Sequence, residues 1–120
     1  MNKYLVFVYN AKGDLFSTVT DFAHKILSPS TYDCRLCALT YGNFSIRDDW
    51  KSFIEQLPLT SVFLHKEEFE TQYRIQSVLP AIFISSGEFL QQIVSQQQIN
   101  NCGTLEDLKR LVSHSIEEYV

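Results

Sequence analysis

The chain has 120 residues, with 10 Lys and Arg against 14 Asp and Glu, a formal charge of -4, 45% hydrophobic residues and 20% charged ones. That length fits a single domain over residues 1–120, able to bury roughly two-thirds of the surface its unfolded chain exposes, and nine Phe and six Tyr supply the core material that a disordered chain lacks. An acidic balance with no run of Lys or Arg excludes a phosphate-backbone footprint, and with it a nucleic-acid partner.

Residues 3–9, KYLVFVY, form a nearly continuous apolar and β-branched run, which predicts a central strand buried on both faces. The run is shorter than a signal-peptide core and lacks a small-residue cleavage pattern. No stretch approaches the roughly 18 apolar residues of a membrane span, so no membrane partner is expected. A cytoplasmic address follows as the expectation, where thiols stay mostly reduced and a close Cys pair points to redox or metal chemistry more often than to a staple.

Turn residues at 10–14 lead into Leu15, Val19, Phe22 and Ile26, a helical stripe that Ser28-Pro29 stops; His24 falls on its polar face. Residues 34–41 fit two templates. Alternation of Leu36, Ala38 and Thr40 against Cys37, Leu39 and Tyr41 favours a short strand, while Asp33 as N-cap and Gly42 past the end suit a two-turn helix. Ser45 to Asp48 resembles a capping box ahead of Trp50, Phe53, Ile54 and Leu57, a helix closed by Pro58. A strand at 61–65 ends on His65, and the charged stretch 66–73 reads as a surface helix.

Pro80 opens an apolar strand at 81–84, where a missing N–H is tolerated. Ser86-Gly87 then turns a hairpin into a strand over 88–94. The amides of Gln91, Gln92 and Gln96 to Gln98 mark that strand as an edge, and amides guard an edge less well than lysines, so a homo-oligomer through it is expected. Gly103-Thr104 caps a last helix with Asp107 at its third position and a buried stripe of Leu105, Leu108, Val112, Ile116 and Tyr119. His65 and His114 read as surface or hydrogen-bonded histidines. The order of elements implies an α/β fold, a three-layer α/β/α sandwich whose parallel strands are extended by an antiparallel C-terminal hairpin.

Over about residues 60–118 the succession of elements resembles the thioredoxin-like fold: the strand at 61–64, the helix to Tyr73, Val78-Leu79-Pro80 and the strand after it, Gly87-Glu88, and the helix from Thr104. In that family an apolar residue precedes a cis-proline that lines the active site. The resemblance therefore implies a cis bond at Pro80 and a role for it in the site. It also implies a C-x-x-C placed directly after a central strand, and here the loop after the first strand has no cysteine. The chain's C-x-x-C, Cys34 and Cys37, comes later.

Three functions remain open on these residues. Cys34 as attacking thiolate and Cys37 as resolving thiol would make a thiol–disulfide redox protein with a protein thiol or disulfide as partner and no cofactor. A helical Cys34 beside Arg35 favours that chemistry, whereas a strand would put the pair at the far end of the sheet from Pro80. Alternatively Cys34, Cys37 and Cys102 are ordinary buried residues of a binding module, with the loop 41–44 and the glutamine edge as its surfaces. Third, the pair could supply half of a zinc site completed by His24, His65 or Cys102, although no second C-x-x-C is present. No P-loop, G-x-S-x-G elbow or H-E-x-x-H occurs.

Overall fold

The computed structural model describes residues 3–10, 34–40, 46–87 and 89–119. The expected helix at 15–27, His24 and the loop 41–44 lie outside them. Strand β1 (Lys3–Tyr9) is inner: it pairs in parallel with β2 (Thr60–His65) and antiparallel with β3 (Ala81–Ser86), and β4 (Phe89–Val94) lies antiparallel on the far side of β3. Among the described residues the sheet is thus mixed and four-stranded, in the order β2-β1-β3-β4. Five helices accompany it among the described residues: α1 (Arg35–Thr40), α2 (Asp48–Glu55), α3 (Lys66–Tyr73), α4 (Gln96–Asn100) and α5 (Leu105–Ser115), the last followed by a 3-10 turn (Glu117–Tyr119). This is a mixed α/β domain.

Strand alternation divides the core in two. Leu5, Phe7 and Tyr9 of β1, with Ile82 and Ile84 of β3, face a cluster that holds Leu36 and Cys37 of α1, Trp50 of α2, Ile99 of α4, and Leu105, Leu108 and Val112 of α5. Val6, Val8, Ala81 and Phe83 face Leu64, Leu79 and Phe69 of α3. Covering both sides of β1 is why its sequence reads as an unbroken apolar run, each fully buried large side chain contributing roughly 1.5–3 kcal/mol. Aromatic rings tie the layers: Phe7 meets Trp50 edge-on at 5.6 Å and stacks on Phe63 at 4.9 Å.

Local chemistry sets most element ends as the sequence implied. Gly87, at φ 63°, turns the β3–β4 hairpin, with Ser86 opposite Phe89. Thr104 Oγ1 accepts from the Asp107 N–H at 3.2 Å while the Asp107 carboxylate accepts from the Gly103 N–H at 3.0 Å. Both satisfy amides that the start of α5 would leave bare. Leu105, Leu108, Val112 and Ile116 are buried.

Two expectations are corrected. Residues 35–40 form a helix, not a strand. The cap of α2 is Arg47, whose side chain makes no capping hydrogen bond; the helix starts on Asp48 and Asp49, whose charges suit an N-terminus, and Asp49 Oδ1 accepts from the Trp50 N–H at 3.1 Å. Gln96 to Gln98, which follow the strand, form the first turn of α4, where Gln98 closes a capping box with Ser95. Gln91 and Gln92 do lie exposed on β4, the edge strand.

Candidate functional site

The cysteine pair sits at the start of α1, and hydrogen bonds show why this stretch coils. The Cys34 carbonyl accepts from the Ala38 N–H at 3.0 Å, and Cys34 Sγ accepts from the Cys37 N–H at 3.3 Å. Cys34 thus acts as an N-cap, with sulfur in the place of the usual hydroxyl or carboxylate. At the other end, Thr40 Oγ1 donates to the Leu36 carbonyl at 2.7 Å, the Arg47 N–H donates to the Thr40 carbonyl at 2.8 Å, and Arg47 Nη1 donates to the Leu39 carbonyl at 3.5 Å. Tyr9, at the end of β1, reaches Thr40 Oγ1 at 3.5 Å. The buried positions Leu36, Cys37, Leu39 and Thr40 follow helical spacing.

One helical turn puts the Cα atoms of Cys34 and Cys37 5.3 Å apart, and their sulfurs are joined as a disulfide. Both side chains are nearly sealed, at 3% and 0% exposure. Arg35, between them in sequence, is exposed, and its Nε donates to the Cys102 carbonyl at 2.9 Å. This contact binds α1 to the connection between α4 and α5, against both of which α1 packs.

Cys102 is the free thiol, buried, with Sγ 3.5 Å from the Gln98 carbonyl. Burial pushes its pKa up, and Asp107 adds to that, while Arg35 and Arg110 pull the other way. A thiol held protonated in this way is a poor nucleophile.

Pro80 is buried and opens β3, and the Leu79–Pro80 peptide bond is cis. Ala81 pairs with Val8 near the C-terminal end of β1, and Gln96 Nε2 donates to the Leu79 carbonyl at 3.2 Å. Helix α4 therefore touches both α1 and the residue before Pro80. Leu79 itself packs in the cluster with Val6 and Val8, across the sheet from Cys34 and Cys37.

His65 and His114 are placed as surface or hydrogen-bonded groups. His65 precedes α3, its Nε2 3.1 Å from Glu68 Oε1. His114 is 84% exposed, with Nδ1 3.8 Å from Glu117. Among the described residues no three His, Cys, Asp or Glu side chains converge to hold a metal ion.

Sequence reasoning found Cys34, Cys37 and Pro80 but missed the Arg35–Cys102 and Tyr9–Thr40 contacts, which join residues 67 and 31 positions apart and leave no local signal. Compared with protein-family models, curated proteins and solved structures, the chain shows no match.

Proposed function

We propose that this chain is a thiol–disulfide redox protein acting through Cys34 and Cys37, in a three-layer α/β/α domain of thioredoxin-like type. The observation that carries the proposal is the bonded pair itself, joined across one turn with the Cys37 N–H aimed at Cys34 Sγ. In the reduced protein that N–H would favour the Cys34 thiolate, since a hydrogen bond to the charged form lowers a thiol's pKa. The thiolate attacks one sulfur of a substrate disulfide, forming a mixed disulfide and expelling the other sulfur as a thiolate. Cys37, deprotonated, then attacks Cys34 Sγ and expels the second substrate thiolate. Two electrons pass to the substrate, and the protein is left with the Cys34–Cys37 bond.

Support for the thioredoxin-like plan comes from helices packed on the two sides of the sheet, the cis Leu79–Pro80 bond ahead of β3, and the turn at Gly87 before β4. The position of the pair departs from that plan: α1 does not follow β1 directly. The proposed partner is a protein thiol or disulfide, and the proposed compartment the cytoplasm.

A second function, a binding module with structural cysteines, is favoured by one observation, the near-complete burial of both sulfurs. Turnover of a small aromatic disulfide with dithiothreitol as reductant separates the two. The redox function requires turnover by the wild type, its loss in Cys34→Ser, and a trapped mixed disulfide in Cys37→Ala. Equal rates for wild type and Cys34→Ser would end it and leave the binding module.

A further inference from the structure

One corner of the sheet presents three features that the redox chemistry does not use. Strand β4 has a single neighbour in the described sheet, so its other side directs backbone N–H and C=O groups outward. Its sequence, FLQQIV, contains none of the charged residues or prolines that commonly guard an edge. Phe89, at its start, is 56% exposed. Beside the strand lies an open, mainly polar cavity of about 350 Å³, lined by Gln91, Gln92 and Ile93 of β4, by His114 and Ser115 of α5, and by Glu118 and Tyr119 of the 3-10 turn.

The geometry points to a two-fold homodimer in which β4 pairs antiparallel with its copy and each Phe89 fills the other copy's cavity. A symmetric antiparallel pair centred on Gln91 sets Gln91 against the partner's Gln91, Leu90 against the partner's Gln92, and Phe89 against the partner's Ile93. Phe89 and Gln91 share a face because alternate strand residues do. Gln91 and Ile93 both line the cavity, and Ile93 packs against the cluster beneath α5. In this register, therefore, the exposed ring of each chain arrives over the pocket of the other, the self-complementary relation that a two-fold interface demands.

The two central amides can donate to and accept from each other. No like charges oppose across the strands, and the rim supplied by His114 and Glu118 stays polar. The register shift opposite Ile82 and Phe83 inserts an extra residue, Ile93, into β4 between Gln92 and Val94, so regular pairing covers Phe89 to Gln92 and each Phe89 meets the partner's Ile93 where that pairing ends. An interface built from five residues of strand and two rings falls below the roughly 1,200 Å² of stable complexes, so the dimer forms and separates with concentration.

Sedimentation equilibrium over a concentration series up to about 1 mM tests this. The wild type should rise from the mass of one chain toward two. Phe89→Asp, which removes the ring, and Gln91→Lys, which sets two like charges face to face, should each weaken association at least ten-fold with unchanged circular dichroism. Thr71→Lys, on exposed α3, should associate as the wild type does. Mild oxidation of Gln91→Cys should yield a dimer linked through position 91, a readout that does not depend on how well the other variants fold. A wild type that stays at one chain throughout overturns the proposal, as does undiminished association of folded Phe89→Asp and Gln91→Lys. A wild-type dimer whose Gln91→Cys form fails to cross-link overturns it as well.

Discussion

Reduction of the Cys34–Cys37 bond is expected to cost about 2 kcal/mol of stability, a figure that follows from the size of the ring it closes. The cysteines are three positions apart, and the chain-entropy relation for about four residues gives about 6 cal/mol/K, or about 2 kcal/mol at room temperature. Little is lost in the folded state. Both thiols remain in the cluster that holds Leu36 and Trp50, with no cavity opened, and the Cys37 N–H keeps Cys34 Sγ as its acceptor. For a chain of this length about 2 kcal/mol lowers the melting temperature by about 8 °C. Thermal unfolding followed by circular dichroism, with and without a phosphine reductant, measures the shift. A fall of more than about 20 °C, or loss of a cooperative transition, would show that the pair staples the fold and refute the reasoning. Identical melts with mass spectrometry showing no loss of free thiols would show that the bond does not form.

Other outcomes follow from single contacts. Trp50 is fully buried and its Nε1 has no hydrogen-bond partner among the described residues, so Trp50→Phe should cost less than about 1.5 kcal/mol in urea unfolding while Trp50→Ala costs about 3–5 kcal/mol. The Gly103 N–H, with help from Arg110 and Thr104, holds the Asp107 carboxyl below the usual carboxylate range. Its contribution is therefore full above the ordinary aspartate pKa and lost as pH falls through the lowered one, and Asp107→Asn should flatten the stability curve below about pH 4. Arg35→Met strips the Cys102 carbonyl of its donor and should cost about 1–2 kcal/mol. The same change removes a cation that lowers the Cys102 pKa, so alkylation of Cys102 should slow at a fixed mildly alkaline pH when both folded proteins are compared.

Much of the framework could be read without coordinates because its causes are local. An unbroken apolar run is what a strand covered on both sides requires, and β1 and β3 are such strands. Gly87 supplies the positive φ of the hairpin, and Thr104 and Asp107 lie three apart, the spacing at which a cap closes on α5. Tertiary structure alone decided the conformation of residues 35–40. Six residues are too few for periodicity to separate coil from strand. Beside the Cys34 cap and the nearby Arg47, the contacts that hold them as a helix come from Tyr9 and the carbonyl of Cys102, both distant in sequence. The same distance hid the sealing of both sulfurs, which depends on elements that the two cysteines meet only after the chain has folded. Residue spacing can bring two thiols within reach of each other, but access to them is a property of the surface, and the surface exists only once the elements have packed.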